Sequence, residues 1–139
     1  MESNGLSFSS TDQLQNRTTK SVQILIVDGQ RCSRQALCAL LATWPPTGLL
    51  CEAENAQAAL RLVAECQPDL VVIDVYSLEE YGRQAIQRIK TGWPQVKVVA
   101  LSMYPDALDR ARQAGADACI SKGETPEKFL AALAQLYPD

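Results

Sequence analysis

The hydrophobic positions of the chain fall into a repeating rhythm that begins at residue 21. Apolar, largely β-branched runs stand at 22–27 (VQILIV), 49–53 (LLCEA), 70–75 (LVVIDV), 96–101 (VKVVAL) and 118–121 (ACIS). Between and after them lie segments in which apolar residues recur every three to four positions, at 32–43, 56–66, 79–91, 106–114 and 126–136. Leu37, Leu40 and Leu41 share one face of the first such segment, and Phe129, Leu130, Leu133 and Leu136 share one face of the last. Strand and helix thus alternate five times. The punctuation agrees: Pro45 and Pro46 follow the first helix, Asn55 precedes the second, and Gly92 and Pro94 close the third. Gly115 closes the fourth, and Thr125 with Pro126 opens the fifth.

Strictly alternating strands and helices predict an α/β protein with a parallel sheet. Runs such as VVI and VVAL, apolar at consecutive positions, suit strands covered on both faces. Five units are too few to close a (β/α)8 barrel, so the expected architecture is an open, doubly wound sheet of five parallel strands flanked by five helices. Residues 1–20 break the rhythm: they are rich in Ser, Thr, Asn and Gln, and Leu6, Phe8 and Leu14 are too far apart to form a face. They are expected to be a flexible N-terminal tail, with a single domain over 21–139.

Composition narrows the chemistry. The chain has 139 residues, 47% of them hydrophobic, enough to bury one core. Thirteen basic residues against 16 acidic give a net charge of -3, which supplies no electrostatic footprint for nucleic acid or for an anionic membrane. No apolar run reaches the roughly 20 residues that span a bilayer, and no signal-peptide core is present. Histidine is absent, which removes imidazole metal sites and Ser-His or Cys-His catalysis. The five cysteines, Cys32, Cys38, Cys51, Cys66 and Cys119, are odd in number and show no CxxC spacing. They read as reduced thiols of a cytoplasmic protein, with Cys32 and Cys38 as buried small hydrophobes.

In open parallel sheets, sites form beyond the carboxyl ends of the strands, where the topology reverses. The first strand runs out at Asp28, the third at Asp74, the fourth at Ser102 and the fifth at Lys122. Each residue alone serves well as a helix cap or a turn residue. Together, two acids, a hydroxyl and an amine at one sheet edge suit a phosphoryl group: a carboxylate as nucleophile or metal ligand, a cation for developing charge, and a hydroxyl to orient an oxygen.

The stretches that carry these residues are ILIVDG at 24–29, DLVVIDV with Asp74 and the later Gly82, VVALS ending at Ser102, and QAGADACISK ending at Lys122. They resemble the receiver domain of two-component response regulators, a flavodoxin-like fold, over residues 22–137. The ending SKGETPEKFLAAL, with no proline directly after the lysine, is similar to receivers of LuxR/NarL-type regulators. The resemblance implies that Asp74 accepts a phosphoryl group from a sensor histidine kinase or a phosphotransfer protein. It implies that Ser102 and Lys122 sense the phosphate, and that Asp28, Asp74 and the backbone carbonyl of Tyr76 hold Mg²⁺. Self-association or contact with an output domain beyond this chain is expected through the fourth helix, fifth strand and fifth helix.

Four departures from the family pattern are visible. Gly29 stands where a second acid is usual, which weakens the expected Mg²⁺ site. Cys119 replaces the aromatic residue of the last strand, Met103 a small residue after the sensing hydroxyl, and Leu78 a proline in the turn after Asp74. Two functions stay open on the residues: a phosphorylation-driven switch, favoured by Asp74 and Lys122, or a phosphorylation-independent interaction module, favoured by Gly29 and Cys119. A flavin carrier of the same fold needs a glycine- and hydroxyl-rich phosphate loop after the first strand. GQRCSRQ, with one glycine and one serine, does not supply it.

Overall fold

The computed structural model describes residues 21–138, so the expected tail at 1–20 lies outside the described residues. Five strands and five helices alternate: β1 (Val22–Val27), α1 (Arg31–Ala42), β2 (Thr47–Ala53), α2 (Ala56–Cys66), β3 (Leu70–Asp74), α3 (Glu80–Gly92), β4 (Lys97–Ser102), α4 (Pro105–Ala114), β5 (Ala118–Ser121) and α5 (Pro126–Leu136). All neighbouring strands pair in parallel, in the order β2-β1-β3-β4-β5. The expected doubly wound sheet is what the chain forms.

The consecutive apolar residues of the central strands divide between two cores because successive side chains point to opposite faces. Leu25, Val27, Val71, Ile73 and Val98 pack on one face with Val63 of α2, Ile86 and Ile89 of α3, and Ala111 of α4. Ile24, Ile26, Val72, Val99 and Leu101 pack on the other with Leu41 of α1 and Phe129 and Leu133 of α5. Each fully buried aliphatic side chain contributes about 1.5–3 kcal/mol of transfer free energy, so these two layers are the main source of stability. Trp44 closes the edge of the second layer, edge-on to Tyr137 with ring centroids 6.0 Å apart.

The caps form as the sequence signals them. Asn55 accepts from the N–H of Ala58, and Thr125 accepts from the N–H of Lys128. Gly115 ends α4 at φ 116, a left-handed turn that its missing Cβ permits. α1 ends at Ala42 with Thr43 as its cap, ahead of Pro45 and Pro46 as expected, the Thr43 hydroxyl donating to the carbonyl of Leu40. One strand boundary differs from expectation. β2 starts at Thr47, two residues early, because it is an edge strand whose first residues are polar or exposed and carry no apolar signature. Among the described residues, no helix is long and apolar enough to cross a membrane.

Candidate functional site

The chain runs from β1 outward to β2, then crosses back over β1 to β3, so the topology reverses between β1 and β3. There Val27 is the register partner of Ile73. The residues that follow, Asp28 and Asp74, therefore leave the sheet side by side. On the other flank Asp74 is level with Leu101, and Ser102 with Ser121, which delivers Lys122 to the same edge.

Lys122 joins the two acids. Its Nζ donates to Oδ2 of Asp28 at 3.3 Å and to Oδ2 of Asp74. Asp28 is fully buried and Asp74 is 4% exposed, so both charges depend on these partners. Burial pulls the Lys122 amine down, but Asp74 first and then Asp28 outweigh it and hold the amine above its ordinary value. It is a cation throughout the neutral range.

Each carboxylate is further fixed by its own loop. Oδ1 of Asp74 accepts from the N–H groups of Tyr76 (3.0 Å) and Ser77 (3.1 Å). Oδ1 of Asp28 accepts from the N–H of Gln30 at 2.9 Å. Its Oδ2 accepts from the hydroxyl of Ser33 at 2.5 Å, and that hydroxyl in turn accepts from Lys122 at 2.6 Å. Arg34 supports the loop from below, donating from Nη1 to the Asp28 carbonyl and from Nε to Glu52.

Gly29 has a structural reason. Its N–H donates to the hydroxyl of Ser77 at 3.0 Å, and that hydroxyl donates to the Asp74 carbonyl. A Cβ at Gly29 would stand 3.2 Å from the Ser77 carbonyl oxygen, tighter than ordinary contact. The loops after β1 and β3 are thus laced together where a side chain has little room.

Ser102 is fully buried at the end of β4, but its hydroxyl accepts from the N–H of Tyr104 at 3.0 Å rather than touching the acids or Lys122. The O–H hydrogen stays available to donate. Tyr76 is 58% exposed and stacks on Tyr104 with centroids 4.4 Å apart, bridging the loops after β3 and β4. Its backbone carbonyl accepts from the N–H of Glu79, with a second lone pair left over. Met103 is exposed, Leu78 is buried in the first core, and the Cys119 thiol donates to the Leu108 carbonyl of α4 at 3.5 Å. Cys38 is half-buried against the second core, but Cys32 is exposed, which corrects the expectation that both are buried. It stands in the first turn of α1.

As a Mg²⁺ site, the donor set is all oxygen and hard, as that ion requires: two adjacent carboxylates and one main-chain carbonyl, with waters and phosphate as the usual remainder. The residues present fit the ion at this minimum. A third acid is missing: among the described residues, no group of three His, Cys, Asp or Glu side chains could hold a metal.

Ser33, Ser77 and Arg34 were not singled out by sequence reasoning. Ser33 sits five residues after Asp28 on the first turn of α1, and only the helix start brings it back over the strand end.

Known proteins share this chain's sequence pattern and fold. The response regulator receiver domain family matches residues 24–134. The uncharacterized transcriptional regulatory protein YhcZ of Bacillus subtilis is 32% identical over 111 residues, 78% of this chain and 52% of that protein. The response regulator protein VraR of Staphylococcus saprophyticus is 25% identical over 84% of this chain and 56% of its own length. The chain spans about half the length of these relatives. Among solved structures, a LuxR-family two-component response regulator from Aurantimonas superposes with a TM-score of 0.77 at 25% identity, covering 84% of this chain and 85% of that one. The receiver domain of NarL from Mycobacterium tuberculosis superposes at 0.75 with 21% identity, over 84% and 95%, and supports the fold alone.

Proposed function

Since the chain belongs to the response regulator receiver domain family, we propose that it receives a phosphoryl group on Asp74 from a sensor histidine kinase or a phosphotransfer protein and passes the signal on through a changed surface. The observation that carries this reading is the convergence of Asp28, Asp74 and Lys122 at the switch point of the sheet.

An Asp74 carboxylate oxygen attacks the phosphorus of the donor's phosphohistidine. The P–N bond breaks, its electron pair returns to the imidazole, and an acyl phosphate remains on Asp74. Asp74 is nearly closed to solvent, so the Lys122 amine has to swing off Oδ2 to admit the donor. It then neutralises a phosphoryl oxygen in place of the carboxylate it left. Ser102 keeps an O–H free to donate to another. Mg²⁺, held by Asp28, Asp74 and the Tyr76 carbonyl, would supply further neutralisation of phosphoryl charge, weakly because Gly29 brings no carboxylate. Any catalysis is confined to the domain's own phosphotransfer and dephosphorylation.

Phosphorylation adds a charge of about -1.5 to -2 at the strand ends. The loop from Ser102 into α4 and the turn from Lys122 into α5 start at the site, so α4, β5 and α5 are the elements positioned to respond. Their outer face is the surface we assign to a second copy of the chain or to an output domain. The relative YhcZ is named a transcriptional regulatory protein; by that likeness the output is transcriptional, with DNA contacted outside this acidic domain.

Incubation with labelled acetyl phosphate tests the acceptor. The protein should take up acid-stable, hydroxylamine-sensitive label, and Asp74→Asn should take up none. Label persisting in a folded Asp74→Asn variant would overturn the assignment.

A further inference from the structure

Two cysteines outside the acidic site meet in space. Cys51 lies in the edge strand β2, level with Leu25 of β1, and Cys66 is the last residue of α2. Their sulfurs are 4.0 Å apart. The helix ends there because Gln67 adopts a left-handed conformation, its N–H bonding the Val63 carbonyl, and this turn holds Cys66 over the strand. A disulfide bond is about 2.05 Å long, so the sulfurs need to approach by about 2 Å, within reach of a side-chain rotation at the exposed Cys66.

The two thiols differ in a way that orders the chemistry. Cys66 is exposed, whereas Cys51 is half-buried against the first core. Burial, and then Cys66 itself, pushes the Cys51 thiol up, and its half-buried sulfur is the less accessible of the two to a small disulfide. Cys32 is also exposed, and no sulfur contact to it is found among the described residues. It is a built-in control for exposure without a neighbour.

We propose that Cys51 and Cys66 form a reversible redox pair that closes to an intramolecular disulfide on meeting a low-molecular-weight disulfide, stapling the end of α2 to the edge strand β2. The Cys66 thiolate attacks one sulfur of the small disulfide; that S–S bond breaks and one small thiol leaves. The Cys51 thiolate then attacks the Cys66 sulfur of the mixed disulfide, the protein S–S bond forms, and the second small thiol leaves. The two protons lost by the protein thiols end on the two small thiols. The protein pair is oxidised by two electrons and the small disulfide reduced by the same two. Small thiols in excess reverse the reaction.

The test is incubation of the reduced full chain with oxidised glutathione, followed by alkylation, intact mass and peptide mapping. The expected product is lighter by two hydrogens, carries Cys51 linked to Cys66, and is restored by dithiothreitol, while Cys32 stops at the glutathione adduct. In Cys51→Ser the adduct should accumulate at Cys66, because nothing resolves it. The proposal is overturned if native protein accumulates the Cys66 adduct to the same extent as Cys51→Ser. It is equally overturned if the Cys51–Cys66 link appears only in urea. Mapping of the unsubstituted chain decides the matter even if the variant does not fold.

Discussion

The Ser33 hydroxyl and the Lys122 ammonium meet at 2.6 Å although 89 residues separate them in the chain. Ser33 is the joint of the acidic site: it passes its own hydrogen to Asp28 and receives one from Lys122, so the amine has a third anchor beside the two acids it bridges.

Ser33→Ala removes a hydrogen bond to a buried charged acceptor and one acceptor for the lysine. The expected loss is about 1–3 kcal/mol in urea unfolding at neutral pH. A change within about 0.5 kcal/mol, the range of an ordinary surface substitution, would mean that water replaces the hydroxyl at no cost.

Lys122→Ala leaves Asp28 and Asp74 facing each other, buried, without their cation. Removing one partner from a buried ionic cluster costs about 3 kcal/mol or more. The same denaturation experiment reads it, and the variant should be the least stable of the site substitutions. Equal stability with the unsubstituted chain would show that Lys122 is not the cation that compensates these acids.

Gly29 separates steric from electrostatic effects. Gly29→Ala puts a Cβ 3.2 Å from the Ser77 carbonyl oxygen and should destabilise by about 1 kcal/mol. Gly29→Asp meets the same contact but adds a carboxylate to the site, so it should bind Mg²⁺ more tightly than either the native chain or Gly29→Ala. Isothermal titration checks this. Equal affinities in all three would mean that Asp28 and Asp74 already satisfy the ion.

Tyr137 gives a pH dependence. Burial, then Asp69 and Asp117, raises its hydroxyl above the usual tyrosine value, and the O–H donates to the Asp69 carbonyl. The folded value exceeds the unfolded value of about 10, so its contribution is complete below that pH and lost as pH rises beyond it. Tyr137→Phe should cost about 1 kcal/mol at pH 7 and should flatten the fall in stability above pH 10. An alkaline limb as steep in the variant as in the native chain would contradict the assignment.

Asp28, Asp74 and Ser102 were legible in the sequence because β1, β3 and β4 end in apolar runs covered on both faces, so the first polar residue marks the exit; Lys122 follows Ser121 at the end of edge strand β5, and only its place after the fifth apolar run pointed to it. Edge strand β2 was less so: Thr47 and Gly48 face a half-solvated surface and carry no such signal. The lacing of Gly29 to Ser77, the joint at Ser33 and the meeting of Cys51 with Cys66 depend on loop and helix-end geometry, which residue spacing does not encode. Cys32 is exposed against expectation because a small apolar residue in the first turn of a helix can face either way.

The measurement closest to the central claim is a titration with beryllofluoride and Mg²⁺, followed by backbone amide shifts, on the native chain and on Asp74→Asn. The account predicts saturable shifts around Asp74 that extend to Ser102–Lys122 and into α4, and none in the variant. A folded native chain that shows no response at millimolar Mg²⁺ and beryllofluoride would contradict it, and would leave the domain's signalling to its surface alone.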